Sequence, residues 1–185
     1  SNTRDGDLLL LTKPLGTGIL YNALKKGLAN SDDFNQAIVS MVELNKEIGS
    51  LLHKFNVHAA TDVTGYGLIG HLYEMCKSSN VSAEIETNKV PFFKNVEQFA
   101  KKGAVPGGTK RNLEFYSKHI KFADSIKNHQ KLMLADAQTS GGLLISLSEK
   151  DAHSLFSFYK ERSIGSLQII GKFRNSKNPK ITINR

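Results

Sequence analysis

The sequence predicts an α+β domain built in layers, with a mixed sheet covered by helices. Strand-length apolar runs, such as Leu8 to Leu11, alternate with stretches of helical spacing. Glycine and proline clusters separate them, at Lys13–Gly18, Gly65–Gly67 and Val105–Thr109. Two strands then follow one another at the end, which argues for a mixed sheet rather than a wholly parallel one. The 185 residues suit one domain, with 39% hydrophobic and 23% charged residues excluding a disordered chain.

The elements follow in order. Asp7 to Thr12 reads as a strand, broken by Pro14 and Gly16, with a short helix from Ile19 to Lys26. Ser31 is the expected cap of a long helix, with Asp32 and Asp33 at its positive end. Phe34, Ala37, Ile38, Met41, Leu44, Ile48, Leu51, Leu52 and Phe55 recur at steps of three and four, predicting one helix with one buried stripe. Val57–Thr61 reads as a strand, Leu68–Ser78 as a helix and Val81–Glu86 as an alternating strand. A helix reaching Lys102, a loop over Val105–Thr109, and short helices at Asn112–Lys118 and Gln130–Ala135 come next. Gly142–Leu147 is a strand, Glu149–Arg162 a helix, and Leu167–Phe173 and Lys180–Ile183 are the closing strands. Residues 1–6 are set aside as a leader, with Ser1 and Asn2 read as a cloning scar.

Composition narrows the function classes. No apolar run approaches the ~20 residues that span a bilayer, and no secretory leader is visible, so neither a membrane partner nor export is expected. The single cysteine, Cys76, excludes an internal disulfide and suits a reducing cytoplasm. No histidine or cysteine spacing matches a zinc site. The net charge of +8 favours anionic ligands, but few aromatics interleave with the basic pairs, so nucleic acid is not an expected partner.

Four segments can carry chemistry. In Thr61-Asp62-Val63-Thr64-Gly65-Tyr66-Gly67-Leu68, a carboxylate ends a strand and two glycines turn the chain into a helix. Ligands of layered α/β folds gather at such strand ends, and N–H groups at a helix start favour phosphate. Asp62 is therefore a candidate Mg²⁺ ligand, and Thr64, Gly65 and Gly67 candidate phosphate or cleft contacts. The competing reading makes Asp62 a turn cap and leaves the glycines only their φ angles. In Val105–Asn112, Gly107 and Gly108 allow close backbone approach, and Thr109 and Arg111 are further candidate contacts. The alternative there is a surface loop. Asp136–Leu144 and Lys13–Gly18 read as structural turns, with Lys13 a solvated lysine. His71 is expected to be packed or hydrogen-bonded, and Cys76 to be a small buried hydrophobe.

Taken together, Thr12–Gly18, Thr61–Leu72, Pro106–Asn112 and Gln138–Leu144 stand in the order found in selenophosphate synthetases, and the chain resembles the carboxy-terminal domain of that family from about Asp7 to Gly171. Two departures are Tyr66, where the family often has Phe, and Ala137, where it often has Pro. The resemblance implies the aminoimidazole-ribonucleotide-synthetase-like fold and an enzyme that turns selenide, ATP and water into selenophosphate, AMP and phosphate with Mg²⁺. It places the reactive cysteine or selenocysteine, most metal-binding aspartates and the main dimer contact in an amino-terminal domain. It puts the carboxy-terminal metal ligand on Asp62. Implied partners are that amino-terminal domain, ATP and selenide; the implied full-length protein is a cytoplasmic homodimer, while this chain alone is expected to be an inactive monomer. The competing expectations are the matching domain of a sister ATP-dependent enzyme (aminoimidazole ribonucleotide synthetase, thiamine-monophosphate kinase, hydrogenase-maturation protein), or an anion- or RNA-binding module without catalysis.

Overall fold

The computed structural model describes residues 2–162 and 165–185; Ser1 of the leader lies outside them. One seven-stranded mixed sheet runs through the molecule in the order β2-β5-β1-β6-β3-β7-β4. Its strands are β1 (Leu8–Leu11), β2 (Val57–Asp62), β3 (Val81–Glu86), β4 (Ile120–Phe122), β5 (Leu143–Leu147), β6 (Gln168–Asn175) and β7 (Ile181–Asn184). Neighbours from β2 to β3 pair antiparallel, whereas β7 lies parallel to both β3 and β4.

The unbroken Leu8–Leu11 run has a simple cause: β1 is a central strand buried on both faces. Leu9 and Leu11 enter the main core beneath helix α4 (Gly67–Ser79), while Leu10 points the other way toward α8 (Glu149–Arg162) and Ile48. A third cluster gathers α1 (Thr17–Lys25), α2 (Ser31–Val42) and α5 (Val96–Lys101) around Ile19, Leu20, Ala37 and Phe99.

Several local expectations change. The stripe from Phe34 to Phe55 is two helices: α2 stops at Val42, and α3 occupies Lys46–Leu52. Glu43 is extended at the break (ψ 123°), and the periodicity survives it because the gap is short. Leu44 lies at that corner and is 70% exposed; Ile38 is exposed as well. The cap of α2 is Asn30, not Ser31: its side chain accepts from Asp33 N–H, while Asp33 Oδ2 accepts from Asn30 N–H. The expected loop over Val105–Thr109 is half helix, since α6 begins at Gly107 and runs to Tyr116, with Pro106 before it. The helix over Gln130–Ala135 is α7 (Asn128–Leu134). Strand β4 has no periodicity to announce it, being three residues long. Within the stretch set aside as a leader, Asn2, Arg4 and Asp5 are bonded into the fold: Asn2 N–H donates to His58 O, Arg4 N–H to Asp7 Oδ2, and Asp5 Oδ1 accepts from Asn175 N–H.

Candidate functional site

The three glycine-bearing segments that flank Asp62 in sequence order meet in one polar hub. Helix α1 starts at Thr17 behind Gly16, which has φ +120° and no side chain to cap with. The cap comes from more than 115 residues downstream. Gln138 Oε1 accepts from the N–H groups of Gly16 and Thr17 at 3.0 and 3.3 Å, and from the Thr17 hydroxyl at 3.2 Å. Asp136 Oδ2 accepts from the N–H groups of Gly18 and Ile19, both at 3.1 Å. The four orphan donors of the helix start are thus satisfied by two side chains. The Thr109 hydroxyl donates to Asp136 Oδ1 at 2.8 Å, which ties α6 into the same hub. Asp136 is only 1% exposed, and burial pushes its carboxyl up to about 6 against the opposing pull of those donors. The sequence reading gave Asp136 only a place in a structural turn; its one further signal is a lone carboxylate between alanines just after a short helix.

The turn after β2 rests on this hub. Gly67 has φ +66°, and a Cβ there would lie 2.6 Å from Ala135 O. Thr64 O accepts from the N–H groups of Gly67 and Gln138. Thr64 N–H donates to His71 Nε2 at 3.1 Å, so the His71 ring proton sits on Nδ1. Burial holds His71 below the ordinary imidazole value despite Asp62 and Glu74 nearby. Asn112 Nδ2 donates to Gly65 O at 2.8 Å and Ala135 O at 3.1 Å, setting α6 beside the Gly65 turn.

Lys13 departs from expectation. It is 5% exposed, and its ammonium donates to Ser40 O at 2.8 Å, Glu43 O at 2.7 Å and Ser140 O at 3.2 Å. Burial lowers its pKa, with Glu43 acting the other way. It is a buried tether, not a solvated lysine, and its three N–H groups have none left for an anion.

The candidates therefore divide. Asp62 is exposed at the end of edge strand β2, and among the described residues no side-chain hydrogen bond or ion pair occupies its carboxylate. Gly65 and Arg111 are also exposed, and Gly107 and Gly108 form the first turn of α6. The Arg111 guanidinium lies over that turn, 3.4 Å from where a Cβ on Gly107 would stand. Gly67 and Thr109 are buried, and the Thr109 hydroxyl is committed to Asp136, which removes both from direct contact with a ligand. Among the described residues no group of three His, Cys, Asp or Glu could hold a metal. As a donor set, the rim offers one free carboxylate oxygen ligand, which fits one corner of a Mg²⁺ shell and no more. Also among the described residues, no helix is long and apolar enough to cross a membrane.

Comparison with known proteins places the chain in a family. Residues 4–184 match the family described as AIR synthase related protein, C-terminal domain. Selenide, water dikinase of Campylobacter jejuni is 41% identical over 184 residues, covering 100% of this chain and 52% of that protein. The enzyme of the same name from Treponema denticola is 41% identical over 156 residues, covering 84% of this chain and 44% of its own. The chain thus spans about half the length of the curated relatives it matches. Among solved structures, E. coli HypE, a hydrogenase maturation protein, superposes with a TM-score of 0.68 at 16% identity, over 96% of this chain and 46% of that one. Thiamine-monophosphate kinase from Stenotrophomonas maltophilia K279a gives 0.67 at 15% identity, over 98% and 51%. Those two likenesses show the fold; the whole-length identity to the dikinases shows the branch. The chain belongs to the AIR-synthase-related family, as a C-terminal domain of the selenophosphate synthetase kind.

Proposed function

We propose that this domain forms one wall of the catalytic cleft of an ATP-dependent enzyme that makes selenophosphate, and that Asp62 supplies one Mg²⁺ ligand to it. The observation that carries the reading is the free carboxylate at the end of β2, beside a turn fixed on every side by Gln138, His71 and Asn112. Such rigidity is what a charge-positioning group needs. The relatives' name supports the reaction, and a HypE structure in complex with ATP, with a TM-score of 0.60 and 19% identity over 94% of this chain and 44% of that one, supports the nucleotide.

In the proposed reaction the γ-phosphoryl group of ATP passes to selenide, and water then cleaves ADP to AMP and phosphate. Bound Mg²⁺ would neutralise phosphate charge. This chain's residues would hold and orient. The Asp62 carboxylate would fix the ion, the first-turn N–H groups of α6 would face phosphate oxygens, and Arg111 would fork onto them. The amino-terminal half would supply the other metal carboxylates and the chalcogen site. The 185-residue chain alone would then be a monomer that produces no AMP.

The test uses the full-length chain. Asp62→Asn preserves shape and removes charge. Turnover, followed as AMP and as selenophosphate by ³¹P NMR, should fall by roughly 10²–10³-fold, the scale for loss of one preorganised electrostatic group. The thermal midpoint should stay in place. Normal turnover would make Asp62 a turn residue, because Asn caps as well as Asp.

A further inference from the structure

We infer that Lys13 is a positioning residue for the strand end that carries Asp62, acting through the Ser140–Gly142 turn. The inference rests on the reading of Asp62 as a metal ligand, and it goes beyond it by assigning the buried lysine of the Lys13–Gly18 segment.

The ammonium meets three carbonyl oxygens and needs three N–H groups to satisfy them; a neutral amine has two. Among the described residues no carboxylate hydrogen-bonds this ammonium; three backbone dipoles hold it directly, and the nearby Glu43 charge adds to their attraction. Two of the carbonyls, Ser40 O and Glu43 O, belong to the C-terminal end of α2, where a cation is favoured. The third, Ser140 O, sits at a turn where Ser140 itself has φ +48°, uncommon for a residue with a side chain. Asn45 Nδ2 adds a second tie from the α2–α3 corner, donating to Gly141 O at 2.9 Å.

From that turn the connection to Asp62 is by direct contact. Gly142 O accepts from Val63 N–H at 2.9 Å, and Leu143 stands opposite Asp62 in the β2–β5 register. Gly141 lies so close to the Val63 carbonyl that no Cβ fits between them, and a Cβ on Gly142 would meet Lys13 N at 2.5 Å. Leu143 N–H donates to Thr12 Oγ1 at 2.7 Å, and Thr12 N–H to Leu143 O at 3.1 Å. The ends of β1, β2 and the start of β5 are therefore locked together at one end of the sheet, and Lys13 is the cation that holds the turn between them. Among the described strands, edge strand β2 has no neighbour on its outer side to fix Asp62 from there. Its direction depends on β5 and hence on this turn.

The experiment compares Lys13→Met, which keeps the stem and removes the ammonium, with Leu155→Ala, a core truncation under α8 chosen as a stability-matched control. Amide hydrogen exchange is read on this chain. Lys13→Met should speed exchange of the Val63 amide by at least about tenfold relative to the distant Ala83 amide, which donates to Lys180 O beside β7, whereas Leu155→Ala should not single out Val63. In the full-length chain, Lys13→Met should lower turnover by roughly 10–100-fold and raise the Mg²⁺ concentration for half-maximal rate, the scale expected when a reacting group shifts by about 1 Å. Uniform exchange across both variants, or Mg²⁺ dependence matching the control, would overturn the inference. Fast Val63 exchange together with unaltered turnover in both Lys13→Met and Asp62→Asn would instead sink the metal reading of Asp62, leaving the tether to the turn intact. If Lys13→Met does not fold, Asn45→Ala loosens the same turn from its other tie, and slow Val63 exchange there would count against the inference.

Discussion

Replacing Asp136 by Asn should change how stability responds to pH, and the sign is fixed by the structure. Two influences compete on this carboxyl. Four donors, from Gly18, Ile19, Thr109 and Gln138, favour the charged form. Near-complete burial favours the neutral form, and it prevails, raising the pKa from 3.8 to about 6. The folded state then binds the proton more tightly than the unfolded chain. The stability this group contributes is complete below 3.8 and is lost as pH rises through about 6. At 1.36 kcal/mol per pK unit the whole swing is about 3 kcal/mol, and about 2 kcal/mol of it falls between pH 4 and 7. Asn does not titrate, so subtracting the two proteins isolates this one group. Scanning calorimetry at half-unit steps should show the wild-type midpoint declining relative to Asp136→Asn by ~4–8 °C between pH 4 and 7, given about 2–4 °C per kcal/mol for a chain of this size. Parallel curves would refute the reasoning. A gap that moves the other way would show that the donors outweigh burial.

Gln138→Ala strips the acceptor from the buried N–H groups of Gly16 and Thr17 and should cost about 3 kcal/mol in urea melts. Gly141→Ala pushes a methyl group into Val63 O and should lower the thermal midpoint, while Gly65→Ala enters open space and should leave it within error; circular dichroism melts separate the two. Burial pushes the Cys76 thiol up to about 12, so an alkylating reagent at pH 8 should label it only after unfolding, as mass spectrometry would show.

The sheet and most helices were legible because their signals are local. Leu8–Leu11 is apolar on both faces of a strand buried on both faces, and the Val81–Glu86 alternation matches a strand whose odd residues are buried. The α2–α3 break was not legible, because a three-residue gap leaves apolar spacing nearly in phase and the corner is held by Lys13, far away in sequence. The position of Asp62 at a strand end could be read from the sequence, and so could the turn that follows. The fate of Thr109 could not: its neighbours Gly107, Gly108 and Lys110 suggest an open loop, and only the fold brings Asp136 to its hydroxyl. For the same reason the hub of Asp136 and Gln138 was invisible. Its partners lie 117 to 122 residues upstream, and no periodicity spans such a distance.

The sheet order sets a schedule for making the protein. Within this domain β1 is the first strand made, yet among the described strands its partners are β5 and β6, so its four leucines wait until residues 143–175 have been made. Strand β7, at residues 181–184, then slots between β3 and β4. A ribosome paused before residues 143–175 are made holds a chain with Leu8–Leu11 unpaired and apolar, the kind of segment that aggregates or recruits a chaperone. The first turn of helix α1 gains its side-chain caps only when Asp136 and Gln138 arrive. Growth from the amino end therefore gains little stable structure step by step, and the sheet closes late and nearly at once.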